Sequence, residues 1–196
     1  MNIIELPDEV LFHIFSYFSV VELSRITRTC TTFYKICHDP LLWNNIDLEV
    51  LKKSLTDSQF ENFLNYKKQL VQQASKISLR GCQKLSKQAM VNFSAVIGNT
   101  SYLKELNLLN VELKDAVLSN LFDQLTNIHS LSIGPLTIKG DCLEHLNTSA
   151  LQHITLFTCN KIEKPKLLAF FKRLPPSLSS INIRGNFQLE YVLPKM

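Results

Sequence analysis

Apolar positions along this chain fall into two regimes. Between Val10 and Phe18 they are dense, with Val10, Leu11, Phe12, Ile14, Phe15, Tyr17 and Phe18. On a helix started by Leu6-Pro7-Asp8-Glu9, at about 100° per residue, they cover an arc of roughly 220°. Proline suits that first turn because its missing N–H would be unpaired there anyway, and the two acids complement the helix dipole. A helix docking on one neighbour needs only about half of that arc, so a second apolar partner is expected. Ser19 followed by Glu22 forms a capping box, with Phe18 and Leu23 placed for a hydrophobic staple, and predicts a helix from about Val20 to Arg28. A third helix, around Thr32 to His38, carries Phe33, Tyr34 and Ile36 and stops at Asp39-Pro40, since the residue before proline avoids helical geometry. Three short helices in about 40 residues bury too little to stand alone.

The rest of the chain repeats itself. The pattern L-x-x-L-x-L, with a further slot three positions on, recurs as Ala74, Ile77, Leu79, Cys82 and as Leu103, Leu106, Leu108, Val111. It continues as Ile128, Leu131, Ile133, Leu136, then Leu151, Ile154, Leu156, Cys159, and closes as Leu178, Ile181, Ile183, Asn186. Trp43, Ile46, Leu48 and Leu51 supply an earlier copy. Helical spacing fills the intervals at Ser58 to Gln72, Ala89 to Ile97, Ala116 to Leu125, Cys142 to Leu146 and Leu167 to Leu174. This resembles leucine-rich repeats, whose strand-plus-helix units stack into a parallel sheet with helices outside. The slot normally presents Asn or Cys to neighbouring backbone. Cys82, Cys159 and Asn186 fit, whereas Val111 and Leu136 do not, which predicts an irregular middle to the solenoid.

The N-terminal residues also carry a resemblance. Leu6-Pro7-x-Glu9, Ile14-Phe15-Ser16-Tyr17-Phe18, Glu22-Leu23, Cys30-x-x-Phe33-Tyr34 and Leu42-Trp43 are similar to the F-box motif, in register over about residues 5–48. Phe33 stands where Trp is usual, Thr29 where Val is usual and Glu22 where Asp is frequent, swaps that retain size or charge. The resemblance implies docking on a Skp-family adaptor, which hangs from a cullin scaffold carrying a RING subunit. Such docking is a helix-in-groove contact whose apolar anchors supply most of the energy. The anchor candidates are Leu6, Pro7, Leu11, Ile14, Phe15, Leu23, Phe33 and Trp43. Some must instead pack within the module, and spacing alone does not sort them; Leu6-Pro7 is the first choice for the interface.

The expected fold class is therefore α/β: a three-helix F-box over residues 1–48 fused to a short solenoid of about five to six imperfect repeats over residues 49–196. No Pro/Gly/Ser-rich linker separates them, so a fixed junction at Trp43 is expected. With 45% apolar and 19% charged residues, the 196-residue chain has enough apolar content for a continuous core. The net charge of +4 is scattered; the Lys52-Lys53 and Lys67-Lys68 pairs read as solvated helix faces, and no basic stripe marks a nucleic-acid site. Five cysteines at irregular spacing fit reduced buried thiols rather than a metal site or disulfides. The run Val10 to Val21 is interrupted by His13, Ser16 and Ser19 and preceded by acids, which fits neither a signal peptide nor a membrane span. Cytoplasmic residence is expected, with the nucleus as the alternative.

Side chains between the core leucines line the exposed sheet face. Most are small or polar, but Leu109 and Phe157 are apolar, and Arg80, His153 and Arg184 lie on the same face. An exposed aromatic near Arg is the composition of a binding hot spot; incidental exposure, or shielding by Tyr191-Val192-Leu193, is the alternative. The function the resemblance implies is that of a substrate-recognition adaptor in an SCF-type ubiquitin ligase, with an unidentified protein as substrate. An F-box effector of an intracellular bacterium, working in the host cytosol, fits the same pattern. The rivals are a non-catalytic repeat scaffold, an F-box protein acting outside ubiquitination, and an enzyme. For the last, neither a G-x-S-x-G elbow, a phosphate-binding loop nor a zinc-protease helix is present. No catalytic residue, metal ligand or cofactor is expected.

Overall fold

The chain's structure, a computed structural model, describes residues 3–98 and 100–185. Asn186 and Tyr191-Val192-Leu193 lie outside the described residues. A 3₁₀ turn at Ile3–Glu5 leads into α1 (Asp8–Phe15), α2 (Val20–Ile26) and α3 (Thr31–Ile36). The capping box forms as expected: the Glu22 N–H donates to Ser19 Oγ at 3.3 Å, and the Ser19 N–H donates to Glu22 Oε2 at 2.8 Å. Hydrogen bonds from the Ser19 N–H and hydroxyl hold the Glu22 carboxyl below its ordinary pKa.

A 3₁₀ turn at Pro40–Trp43 delivers the chain directly into β1 (Asn45–Asp47). The remaining strands are β2 (Lys76–Ser78), β3 (Glu105–Leu109), β4 (Ser130–Gly134), β5 (His153–Leu156) and β6 (Ser180–Asn182). All six pair in parallel and in chain order. Their register aligns Ile46, Ile77, Leu106, Leu131, Ile154 and Ile181 in one apolar ridge across the sheet. Each fully buried aliphatic side chain in such a ridge contributes about 1.5–3 kcal/mol. The convex side carries α4 (Asp57–Tyr66), α5 (Lys68–Gln73), α6 (Lys87–Ile97), α7 (Asp115–Phe122) and α8 (Lys164–Lys172).

Three expectations change. The single helix Ser58 to Gln72 is two, bent at Lys67, because α4 packs on α6 while α5 turns onto the Pro40–Trp43 turn. The helix expected at Cys142 to Leu146 is a 3₁₀ turn at Asp141–Glu144. The solenoid's middle is regular in its strands: β3 and β4 pair over five residues each, and Val111 and Leu136 fill their slots by burial alone. Irregularity falls instead on the end of β4, where the strand's last residue, Gly134, has φ +120°. In the polar version of the slot, Cys82 Sγ donates to the Leu48 carbonyl of the preceding repeat at 3.7 Å.

The two modules meet in one core. Trp43 is fully buried, and its indole N–H donates to the Cys37 carbonyl at 2.7 Å. Phe63 stacks 6.3 Å from it, and Lys67 Nζ sits 4.9 Å over its ring. Lys67 Nζ also lies 3.2 Å from His38 Nε2, while His38 Nδ1 is 2.7 Å from the Tyr34 carbonyl. Burial lowers the Lys67 pKa, because removing the ammonium from water disfavours its charged form.

Candidate functional site

The structure divides the eight anchor candidates. Leu11, Phe15, Leu23 and Trp43 are fully buried in the chain's own core, the internal packing expected of some of the eight. A side chain already enclosed by its own fold gains nothing further from docking. Leu6, Ile14 and Phe33 are half-buried and Pro7 is exposed. Phe33 turns inward far enough to meet the Phe15 ring edge-on at 5.0 Å.

The excess apolar arc on α1 is real and lies on a different stripe. Val10, Ile14 and Tyr17 follow one another at i, i+4 and i+7, hence on one face. Val10 is 43% exposed and Tyr17 76%, while the adjacent Leu11–Phe15 stripe faces the core. Ile3 (48%) and Ile4 (47%) in the preceding turn, and Leu41 (73%) after α3, add apolar surface. Of these residues only Ile14 is among the anchor candidates. The helical spacing was visible in sequence, but two apolar stripes about 100° apart carry no mark of which one faces in.

On the exposed face of the sheet, register places Arg80, Leu109, Gly134, Phe157 and Arg184 in one row running across β2 to β6. Leu109 is half-buried, Phe157 is 39% exposed, and both arginines are exposed. Gly134 separates the two apolar side chains and has none of its own. His153, at the opposite end of β5, stands about 13 Å along the strand from Phe157 and does not join this row. Lys76 and Glu105, also on that distant end, pair at 2.7 Å.

Burial pushes the thiols of Cys37, Cys82 and Cys159 up to about 11, and burial followed by the Asp115 carboxylate raises Cys142 further. Such thiols are poor nucleophiles at neutral pH. Among the described residues no group of three or more His, Cys, Asp or Glu is placed to hold a metal ion. None of the described helices is long and apolar enough to cross a membrane.

Comparison with known proteins bears on the same two regions. The F-box-like family matches residues 3–49. Human F-box/LRR-repeat protein 12 is 44% identical over 47 residues, which are 24% of this chain and 14% of the human protein. Human F-box and leucine-rich protein 22 is 34% identical over 64 residues, 33% of this chain and 24% of that protein. The match thus spans no more than a quarter of these curated relatives' own length. A chain in the crystal structure of the Rad7 and Elc1 complex in yeast superposes with a TM-score of 0.51 at 14% identity, covering 69% of this chain and 41% of its own. At that identity the likeness is one of fold.

Proposed function

This chain carries an F-box-like domain followed by leucine-rich repeats, and on that premise we propose that it is the substrate-recognition subunit of a Skp–cullin–F-box ubiquitin ligase. The F-box surface docks on a Skp-family adaptor, the adaptor connects to cullin and RING subunits, and the repeats hold the protein to be modified. The chain itself contributes position rather than chemistry. Holding a substrate lysine near a charged conjugating enzyme raises its effective concentration, and a junction without a flexible linker keeps that distance fixed.

The supporting observation is the apolar surface of Ile3, Ile4, Leu6, Val10 and Ile14, which the chain's own core leaves wholly or partly uncovered. Covering the exposed half of such a side chain contributes about 1 kcal/mol, so these anchors supply part of the binding energy and the remainder comes from the surrounding contact. Affinity purification of the full chain from a eukaryotic extract tests the proposal. The wild type should recover the adaptor and the cullin, and Ile3→Ala/Pro7→Ala/Val10→Ala, all at exposed positions, should lose both while keeping its melting temperature. Recovery of neither by the wild type would remove the ligase assignment; recovery of the adaptor without the cullin would point to a role outside ubiquitination.

A further inference from the structure

Two cavities lie along the edge of the sheet where the strands end, and they adjoin through shared walls at Gln83 and Asn110. One, of about 400 Å³, opens beyond β1 and β2 and is lined by Lys52, Lys53, Arg80 and Lys84 together with Glu49. The other, of about 520 Å³, opens beyond β3, β4 and β5; Pro135 is exposed on its wall, Val111, Leu113 and Leu136 lie buried beneath it, and Lys161 stands at its far end. Together they form one groove crossing five consecutive repeats.

We propose that this groove receives an extended peptide, acidic over the β1–β2 end and apolar where it crosses β3 and β4. This rests on the reading of the repeats as the module that captures a protein, and it names the chemistry captured.

Charge sets the direction. Four cations line the first cavity against one carboxylate. Glu49 is shared between Lys52 at 3.2 Å and Arg80 at 3.9 Å. Among the described residues, Lys53 and Lys84 have no acid within ion-pair distance. A protein seldom gathers like charges about a concavity without an opposite charge to meet them, and low-dielectric walls strengthen their field. The second cavity sets Glu112 against Lys161, so the excess of positive charge, and with it the acidic part of a ligand, belongs to the first. Beyond it Pro135, with the buried aliphatic residues beneath it, offers the one apolar patch of the second cavity's lining, a seat for a single apolar side chain.

Length fits too. Five parallel strands about 4.8 Å apart span roughly 19 Å, which about six residues of extended chain cover at about 3.3 Å each. The backbone along the groove is specialised: Asn110 has φ +59° and Thr158 φ +51°. For Asn this is tolerable, but for a β-branched Thr it is strained, and such strain gathers at binding sites. The Lys52-Lys53 pair, which reads in sequence as a solvated helix face, comes just after the 3₁₀ turn Glu49–Leu51 that follows β1 and forms the groove's basic corner instead.

Selection of a random peptide library on the full chain, with and without the Skp-family adaptor, tests the proposal. Enriched peptides should carry Asp or Glu three to five positions from an aliphatic or aromatic residue. Anisotropy titration of a selected peptide should show about tenfold weaker binding to Lys53→Glu/Lys84→Glu, and weaker binding again when the peptide's apolar residue becomes Ser. No enrichment, enrichment without acidic bias, or a bias that survives the double reversal would overturn it. So would a single-stranded oligonucleotide that binds more tightly than every selected peptide. Adaptor capture, measured on the same preparations, separates the two proposals: lost selection with adaptor binding intact removes the groove alone, and the reverse removes only the ligase reading.

Discussion

At Gly134 the fold leaves no room for a side chain. The residue sits at φ +120°, and a Cβ added there would meet the Phe157 carbonyl oxygen at 1.8 Å, with backbone rather than a movable side chain in the way. Gly134→Ala should therefore push β5 away from β4 at the point where Leu109 and Phe157 flank the gap. Loss of about 3 kcal/mol is expected, read as a fall in melting temperature of about 6–12 °C for a chain of this size; an unchanged melt would show that the strands part without cost. Trp43 makes a different point at the same scale. Its size and place in the motif made it an anchor candidate, yet its indole is enclosed and hydrogen-bonded to the Cys37 carbonyl. Large aromatics near a binding motif have two plausible destinations, and only the positions of Phe63 and Lys67 around this one decide between them.

At the level of elements, neighbouring repeats are joined by more than apolar contact. The Asp115 carboxylate, in the first turn of α7, accepts backbone N–H groups of Lys139 (2.7 Å), Gly140 (3.1 Å) and Cys142 (3.3 Å) from the following repeat. Burial by itself would raise its pKa, but these three donors outweigh it and hold the carboxyl below the usual range. Its contribution to stability is thus complete above the ordinary aspartate pKa and is lost as pH falls through the lower folded value. Asp115→Ala should cost about 2 kcal/mol at neutral pH, and the gap from wild type should close on acidification. Urea unfolding at a series of pH values checks both parts; a gap independent of pH would assign the effect to packing. Sequence spacing located α7 but not this bond, since its donors lie some 25 positions away on a turn with no motif of its own.

For the whole molecule, the F-box-like region and the strand-and-helix repeats share one continuous core, so the two proposed binding surfaces keep a set separation. They should also be separable by mutation. Alanine at both Leu109 and Phe157 should reduce recovery of proteins bound by the repeats about tenfold or more, with adaptor recovery unchanged. Quantitative affinity purification checks this. Loss of both kinds of partner, or of neither, would count against the sheet face as a contact surface. The charge-reversed Lys53→Glu/Lys84→Glu chain belongs beside it in that measurement, because the groove and the row of strand-face residues meet at Arg80.

What the amino-acid order determined by itself was periodic: the helices of the first module, six strands in their sequence of pairing, and the apolar ridge that joins them. Burial on one face imposes a spacing of two along a strand and about 3.6 along a helix, and that spacing survives in the linear text. The tertiary structure decided what covers each apolar stripe. It put Leu11 and Phe15 inside and left Val10 and Tyr17 outside, a distinction that periodicity cannot carry because both stripes are equally apolar. It also brought Lys53, Lys84, Leu136 and Lys161 to one groove. Stacked repeats place the same turn of every unit side by side, so a site can be assembled from residues about a hundred positions apart that share no local pattern.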